Sequence, residues 1–405
     1  MARILVHAAG ASAGGGATYL RNFVSLLAEK ESRHQWLVLI GKDTNVDIRP
    51  SPNIEWINYR PVSLPFSRIY SDQYWLRRFA KRRQVDLILA TGNFGMIRPP
   101  CPQILLSRNP LYFSAEHWKR LKARGDYREL LNIHLRRRLS IASIRSSVVN
   151  VTPTKAFADA ICESVPTLSF QSFRPIHHGF NHEAFVKPES TLNPAIEAQL
   201  SKRPGVRRVL MVSHYNYFRN FETVLRGIAS LKRIDSAPIE LILTTKLGEG
   251  VRDHRYDTTQ AARLMQELGI VNDVTMLGTV DHSNLFALYR TADVAVCPSY
   301  AETFGHPMVE AMAAGTPIVA SDMPVQREMC RDAALYFPVF DADILASQLK
   351  DVLNNPIRRA QLSTAGLIRC QDFSWRKHFS ELLETIDQVL IRSPQSAPAQ
   401  LAATR

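Results

Sequence analysis

Short apolar runs separated by segments of helical spacing recur along the whole chain. The first half carries runs typical of buried strands at 4–9, 36–40, 86–90, 103–106 and 148–151. The second half repeats the order with runs at 208–212, 240–243, 274–278, 294–297, 317–320 and 334–337. Strands that alternate with helices predict parallel, doubly wound sheets, so we expect an α/β fold with two Rossmann-like domains.

The domain boundary is expected where this pattern stops. Residues 172–204 are rich in Pro, His and Asn and have no apolar period, which predicts a linker. We therefore expect an N-terminal domain over 1–180 and a C-terminal domain over 181–373. A long amphipathic helix follows at about 374–392, and the polar tail at 393–405 is expected to be disordered.

The net charge of +13 is unevenly distributed. Residues 1–150 hold 24 Lys and Arg against 10 Asp and Glu, whereas residues 151–405 hold 26 against 27. The excess positive charge of the first half favours an anionic partner there. The five cysteines lie far apart without a C-x-x-C pair, which indicates reduced thiols in the cytoplasm. The sequence contains no apolar run of membrane-spanning length, and the short apolar part of residues 1–9 leads us to expect a first strand and not a secretory signal there.

The segment 298–315 carries the most specific chemistry. It follows a predicted buried strand, so it lies at the carboxyl edge of a sheet, where open α/β folds bind ligands. Pro307 and Gly315 suit the start and stop of a short helix over 307–314. Backbone N–H groups at the start of such a helix attract phosphate. Glu310 lies one turn into it, and Glu302 lies on the loop before it.

Glu302 and Glu310 have the E-x7-E spacing of the GT4-like retaining glycosyltransferases, and this chain resembles that family. The resemblance is dense over about 205–375, where Gly278-Thr279, Ala292-Asp293-Val294 and Gly315-Thr316-Pro317 stand around the motif as they do in the family. It implies the GT-B fold, in which two Rossmann-like domains face each other across a cleft.

The resemblance also implies roles for the residues around the motif. Glu310 would hold the nucleotide ribose and Glu302 would touch the donor sugar. The amides of Phe304, Gly305 and His306 would cradle the diphosphate, with Thr303 beside them. The alternative is that both glutamates are solvated residues at a helix end.

Relatives carry a cation after the first strand of the second domain, and Arg219 holds that place here. The planar guanidinium of Arg219 can donate two parallel hydrogen bonds to phosphate oxygens. The alternative is that Arg219 is a solvated charge on a loop. A second basic residue that many relatives have is replaced by Ser213 and His214. Lys246, after the next strand, is the candidate for the missing charge.

The remaining candidates lie in the first half. The glycine-rich stretch 10–16 lacks the ending of a P-loop and the G-x-G-x-x-G spacing. By resemblance Gly15 and Gly16 would lie over the donor, while a tight turn is an equal alternative. Asn109 is a candidate contact of the donor sugar or the acceptor. His117 is an acceptor-side candidate, although a surface role is favoured for it.

No metal or cofactor is expected. Asp341-Ala342-Asp343 has the form of a metal motif, but it precedes a helical segment and reads as an N-cap. The sequence shows no His, Cys or Asp cluster with metal-ligand spacing.

Two basic helical segments, at 74–83 and 127–146, carry apolar stripes beside their cations. The functional interpretation is contact with an anionic membrane surface, and the alternative is a stripe packed on the protein's own sheet. Nucleic acid is not supported, because aromatic residues do not alternate with the cations.

Together these features predict a retaining, metal-independent, hexosyltransferase-like enzyme. It would move a sugar from a nucleoside-diphosphate donor to a hydroxyl of a glycan or lipid-linked acceptor, in cell-surface polysaccharide or glycolipid synthesis. It would be cytoplasmic, with possible peripheral contact at the inner face of the membrane. The alternatives are another GT-B enzyme, such as a nucleotide-sugar epimerase or a phosphorylase, and a non-catalytic membrane-bound scaffold.

Overall fold

The computed structural model describes residues 1–10, 14–29, 33–41, 51–59, 71–203 and 205–392. The chain divides into two compact units. The first contains the described residues of Met1–Ala115, Leu121–Gly179 and Trp375–Arg405, and the second contains Glu116–Arg120 and Phe180–Ser374. The predicted disordered tail at 393–405 lies outside the described residues.

A seven-stranded parallel sheet forms the centre of the first unit. Its strands are β1 (Arg3–Ala8), β2 (Gln35–Gly41), β3 (Ile54–Tyr59), β4 (Leu87–Ala90), β5 (Gln103–Leu106), β6 (Val149–Thr152) and β7 (Phe173–Pro175). Their spatial order is β3-β2-β1-β4-β5-β6-β7, and every neighbouring pair is parallel. Ile4 and Val6 pack into one apolar cluster and Leu5 into another. The sheet is thus covered on both faces, as parallel sheets are.

Before Phe180, where the main part of the second unit begins, the described chain has five α-helices. They are α1 (Gly14–Glu29), α2 (Leu76–Arg82), α3 (Ala115–Ala123), α4 (Tyr127–Arg145) and α5 (Lys155–Ser164). They belong to the first unit, except that Glu116–Arg120 of α3 belong to the second. A π-helical turn at Ser71–Trp75 leads into α2.

The glycine-rich stretch 10–16 predicts a loop, and that predicted loop is wrong in its last part, because α1 already begins at Gly14. Glycines are tolerated in this first turn, and the buried residues that hold the helix, Tyr19, Leu20 and Phe23, come later. Residues 11–13 of that predicted loop lie outside the described residues.

The second unit contains a six-stranded parallel sheet and a short hairpin. Its elements are α6 (His182–Phe185), α7 (Pro194–Leu200), β8 (Arg207–Met211), α8 (Phe221–Ile234), β9 (Ile239–Leu243), β10 (Arg252–Asp253), β11 (Tyr256–Asp257), α9 (Thr259–Glu267), β12 (Val274–Met276), α10 (His282–Arg290), β13 (Val294–Cys297), α11 (His306–Ala313), β14 (Ile318–Ser321), α12 (Pro324–Cys330), β15 (Ala334–Phe337), α13 (Ala342–Asn354) and α14 (Pro356–Arg369). The strand order β12-β9-β8-β13-β14-β15 is that of a doubly wound nucleotide-binding sheet.

The predicted linker at 172–204 contains regular structure. It holds β7, α6 and α7, which are too short to produce an apolar period in the sequence. Each has its own anchor in a core: Phe173, Phe185 and Leu200 are buried.

The last helix, α15 (Trp375–Arg392), packs in the first unit. Its apolar face places Phe379, Leu382 and Ile386 in the same cluster as Phe23 and Trp36. His378 lies on that face as well, 2.9 Å from the Tyr19 hydroxyl. Burial lowers the pKa of the His378 imidazole to about 4, so it is neutral at physiological pH.

Candidate active site

A pocket of about 330 Å³ lies at the carboxyl edge of the second sheet. It forms where the strand order reverses, between the adjacent strands β8 and β13. The ends of β8 and β13, together with the residues that follow each strand, supply most of its wall: Met211, Val212, Ser213, Val296, Cys297, Pro298 and Ser299. The reversal point of a doubly wound sheet is where such folds bind their ligands.

Arg219 and Glu302 meet in this pocket although they are 83 residues apart in the chain. The Arg219 Nη1 donates to Glu302 Oε2 at 2.5 Å and to the Ser299 hydroxyl at 3.2 Å. The side chains of Arg219 and Glu302 are 25% and 12% exposed. The pair is therefore half-buried, and its guanidinium has remaining donors for an incoming anion.

Local hydrogen bonds fix the turn that carries Arg219. The Asn216 side chain accepts from the Arg219 backbone N–H at 3.2 Å and caps the turn. Asn220 follows in the left-handed conformation, with φ of 58°, and its side-chain amide donates to the carbonyls of Pro298 and Val339. The turn is thus tied to the loop after β13 and holds Arg219 beside it.

A second network fixes the loop after β13. The carbonyl of Ser299 accepts hydrogen bonds from the Ser321 hydroxyl at 2.6 Å and from the Gln326 side-chain amide at 2.8 Å. Both donors are buried. Sequence analysis missed Ser299, Asn220 and Gln326 as supporting residues, because nothing in their spacing marks them as partners.

The helix α11 begins at the pocket. Gly305 lines the pocket and precedes the helix with φ of 81°, a conformation that favours glycine. A Cβ there would lie 2.2 Å from the Met308 Cε, so the end of that side chain would have to shift, and the left-handed backbone would still be strained. Thr303 and Phe304 are buried beside it, and the Thr303 N–H donates to Glu302 Oε1 at 3.1 Å. The Phe304 ring packs on His306 and Phe373.

Glu310 is a buried carboxyl group in α11, with a residue exposure of 8%. Its Oε2 accepts from the Tyr289 hydroxyl at 3.1 Å. Burial raises the pKa of this carboxyl to about 7, and the Tyr289 hydrogen bond opposes the rise. Glu310 is therefore not a solvated residue, although it does not line the pocket around Arg219. Tyr289 was missed as its partner, since it comes from another helix, α10.

The pocket thiol is not a nucleophile at neutral pH. Burial raises the pKa of Cys297 to about 12, and the carboxylates of Glu302 and Glu310 add to the rise while Arg219 opposes it. A thiolate is the reactive form of cysteine. Among the ionisable side chains that line the pocket, those of Arg219 and Glu302 remain as the groups that can act on a ligand.

The other candidates are not among the residues that line this pocket. Lys246 is exposed on the loop after β9. Gly15 and Gly16 lie in the first turn of α1, in the first unit. Asn109 caps the turn at Pro110–Tyr112 by accepting from the Leu111 N–H at 3.0 Å. Of Asp341 and Asp343, the two candidates for the predicted N-cap, Asp341 is the cap, because its carboxylate accepts from the N–H groups of Asp343 and Ile344.

His117 does not lie on the surface, so the surface role favoured by the sequence is wrong. The residue is fully buried, and its Nδ1 lies 3.2 Å from the Tyr300 hydroxyl. Its ring also meets Phe218 edge-on. All three residues belong to the second unit. This burial could not be predicted from the sequence, because the partners of His117 come from distant loops.

Part of the chain is similar in sequence to known glycosyltransferases. Residues 193–368 match the family described as "Glycosyl transferases group 1". A phosphatidyl-myo-inositol mannosyltransferase of Mycobacterium leprae is 36% identical over 124 residues, which cover 30% of this chain and 33% of that protein. The chain thus spans about a third of the length of that curated relative.

Solved structures match over nearly the whole chain. Sucrose-phosphate synthase from Thermosynechococcus elongatus has a TM-score of 0.72 at 20% identity, with 96% of this chain and 99% of that one covered. Anabaena HepE in complex with UDP-glucose has a TM-score of 0.66 at 16% identity, with 96% and 100% covered. These likenesses establish the fold.

The match of residues 193–368 to the group 1 glycosyltransferases confirms the predicted resemblance to GT4-like enzymes over that part of the chain. Its structural neighbours are GT-B glycosyltransferases, and the predicted α/β fold with two parallel sheets is confirmed as well.

Proposed function

We propose that this protein is a retaining glycosyltransferase that transfers a sugar from a nucleoside diphosphate to a hydroxyl acceptor. The observation that carries the proposal is the half-buried Arg219–Glu302 pair beside Gly305, at the start of α11 and at the reversal point of the sheet. A cation and a helix start suit a diphosphate. A carboxylate suits the sugar hydroxyls. HepE was solved with UDP-glucose, which supports a nucleotide sugar as the donor class.

In this mechanism Arg219 and the amides at the start of α11 stabilise the negative charge that grows on the leaving diphosphate. The bond from the anomeric carbon to the phosphate oxygen breaks, and the acceptor oxygen forms its bond on the same face. The leaving phosphate oxygen takes the acceptor proton, so the step needs no separate base. Electrostatic stabilisation then supplies most of the catalysis. No metal or cofactor enters this step.

The remaining roles complete the proposal. Glu302 contacts the donor sugar, Glu310 accepts hydrogen bonds from the ribose, and Thr303, Phe304, Gly305 and His306 form the wall around the diphosphate. Lys246 supplies a second cation to the donor. Gly15 and Gly16 contact the donor, and Asn109 and His117 act on the acceptor side.

The test is release of nucleoside diphosphate from a panel of nucleotide sugars, assayed with and without membranes as a source of acceptor. We expect release with one donor class and stimulation by the acceptor, and the product should keep the anomeric configuration of the donor. An epimerase would convert the sugar without releasing diphosphate. A protein that neither binds nor consumes any donor would be a scaffold, and the proposal would be wrong.

The acceptor is proposed to be a glycan or a lipid-linked sugar at an anionic membrane, in cell-surface glycan or glycolipid synthesis. The supporting observation is on α4, where Tyr127, Leu131 and Leu135 lie on one face with exposures of 62%, 63% and 53%. The buried residues of this helix are others, including Ile133, Ile141 and Ile144. The interpretation that the whole predicted stripe packs on the sheet is therefore wrong for its first half.

Cations surround this exposed stripe. Arg128 and Arg138 are exposed on the same helix, and at 100° per residue Arg138 continues the face of Leu131 and Leu135. Apolar side chains flanked by arginines suit the interface of an anionic bilayer. Within the described ranges, the helices are too short or too polar to cross a bilayer.

We expect Leu131→Ser together with Leu135→Ser to weaken binding to anionic vesicles at least tenfold. Each leucine contributes roughly 1.5–3 kcal/mol when it is buried. Co-sedimentation with vesicles that contain or lack anionic lipid measures the effect. Ile357→Ser with Ile368→Ser, two equally exposed positions in the second unit, is the matched control. Equal binding of both double variants would contradict the membrane contact.

The raised pKa of Glu310 predicts a pH dependence of donor binding. Below about pH 7 the buried carboxyl is protonated, so it is a poorer acceptor for a ribose diol. Donor affinity should therefore rise with pH through 7 in the wild type. Glu310→Gln should bind donor more weakly and show no such rise. Isothermal titration with the nucleoside diphosphate between pH 5.5 and 8.5, roughly one and a half units on either side of that pKa, measures it.

Protein stability gives an independent readout of the same group. The folded pKa of about 7 is above the usual 4.5, so burial favours the protonated form. The contribution of the protonated Glu310 carboxyl to the free energy of unfolding is fully present below pH 4.5. It is lost as pH rises through 7, and the whole loss is about 3 kcal/mol. Urea unfolding should show that loss in the wild type relative to Glu310→Gln. Parallel pH profiles of the two proteins would contradict a buried, titrating Glu310.

A further inference from the structure

Three potential metal ligands meet beside the candidate active site. His214 lies on the loop after β8, Asp253 ends β10 and His254 follows in the turn of the hairpin. His214 Nδ1 and His254 Nε2 each lie 3.8 Å from Asp253 Oδ1. One ligand atom from each residue lies within 4.8 Å of the other two. The sequence hides this group, because His214 is about forty residues from its partners.

The sheet order explains why the three residues meet. β8 and β9 are neighbouring parallel strands, so the loops that follow them lie at the same edge of the sheet. The carboxylate of Asp253 links the loop after β8 to the segment after β9 by hydrogen bonds. Its Oδ2 accepts from the Tyr215 N–H at 2.7 Å and from the Thr245 hydroxyl at 2.9 Å.

These two hydrogen bonds orient the carboxylate. With Oδ2 occupied, Oδ1 is the oxygen that faces both imidazoles. His254 is held in the left-handed conformation, with φ of 52°, which costs a non-glycine residue about 1 kcal/mol or more. The imidazoles of His214 and His254 face each other edge-on, with ring centroids 5.1 Å apart.

We propose that His214, Asp253 and His254 bind a divalent transition-metal cation of the Zn²⁺ class. Two imidazole nitrogens and one carboxylate oxygen are a donor set that suits Zn²⁺ and its neighbours. Tetrahedral Zn²⁺ with bonds of about 2.0–2.1 Å separates its ligand atoms by roughly 3.4 Å. The two distances of 3.8 Å exceed this by a few tenths of an ångström, and the imidazole nitrogens, which lie within 4.8 Å of each other, are farther apart by up to about 1.4 Å, so binding requires the exposed imidazoles to rotate toward the ion.

The metal has a positioning role in this proposal. It joins the loop after β8 to the hairpin, and the loop leads directly into the turn that carries Arg219. Ser213, next to His214, lines the pocket. The bound cation thus restricts the loop that presents Arg219, with water at the remaining coordination positions. The binding site itself does not depend on the proposed sugar transfer.

The experiment titrates the full chain, free of any histidine tag, with Zn²⁺ and with Co²⁺. We expect one ion per chain at micromolar concentration, visible absorption of tetrahedral Co²⁺, and a rise in thermal midpoint on Zn²⁺ addition. His214→Ala and His254→Ala should each weaken binding at least tenfold and lose the Co²⁺ bands. His134→Ala, which removes an exposed histidine of α4, is the matched control and should bind like the wild type.

Two results would overturn the proposal. One is equal Zn²⁺ affinity in the double variant His214→Ala/His254→Ala, which would place the ion elsewhere. The other is no binding by the wild type at micromolar Zn²⁺. Both readouts are made without a donor sugar, so they are separate from the outcome of the diphosphate-release assay.

Discussion

Arg219→Ala is expected to lower turnover of the donor by about 10²- to 10³-fold. The guanidinium is the half-buried cation of the pocket, held by Glu302 and Ser299, and in the proposed step it faces the charge that grows on the leaving diphosphate. Its loss removes stabilisation of the transition state and also leaves the Glu302 carboxylate without its cation. Arg219→Lys should recover part of the activity, because a single ammonium replaces the charge but not the planar fork.

Steady-state kinetics with the donor identified by the release assay measures this effect. Arg226→Ala is the matched control, because Arg226 is an exposed arginine on the neighbouring helix α8. It should keep kcat and KM within about twofold, as substitutions at exposed positions usually do. An Arg219→Ala enzyme as active as the control would show that the diphosphate is stabilised by other groups.

Glu302→Ala is expected to abolish measurable turnover while nucleoside diphosphate binding falls much less. The carboxylate is proposed to contact the sugar, which the free nucleotide lacks. Its removal therefore acts on the reacting complex more than on nucleotide affinity. Glu310→Ala should show the opposite balance, with weaker donor binding as its main effect, because the ribose is present in both ligands.

The comparison needs kcat from turnover and Kd from titration on the same protein samples. Glu249→Ala is the control, since Glu249 is an exposed partner of Arg263 on the loop after β9. Equal loss of turnover and of nucleotide binding in Glu302→Ala would contradict a contact with the sugar. It would indicate instead that Glu302 acts only by holding Arg219.

Strands of the two sheets could be predicted where they are continuous apolar runs. The runs at 36–40, 103–106 and 294–297 are observed as strands within a residue or two at each end. Such runs are unambiguous because parallel strands bury both faces. β3 was missed, since the polar residues Glu55 and Asn58, both exposed, interrupt its apolar run.

The helix α11 and the cap at Asp341 were predictable for a different reason. Pro307, Gly305 and Asp341 act on backbone geometry within a few residues, so local sequence contains the whole signal. The helix α15 was also predictable from local sequence, because its apolar residues recur at helical spacing over five turns.

The pairing of side chains in the site could not be predicted from residues alone. Arg219 and Glu302 meet because β8 and β13 are neighbours in the sheet, and that order is a property of the tertiary fold. Tyr289 reaches Glu310 from α10 for the same kind of reason. His117 was wrongly placed on the surface, and the group of His214, Asp253 and His254 was missed. In both cases the partners come from distant loops.

The central claim is that the start of α11 and Arg219 together hold the diphosphate of a nucleotide sugar. A crystal structure with bound nucleoside diphosphate tests it most directly. We expect the phosphate oxygens within hydrogen-bond distance of the Gly305 amide and the Arg219 guanidinium, with the ribose at Glu310. A nucleotide bound elsewhere, with Arg219 still turned only toward Glu302 and Ser299, would contradict the claim.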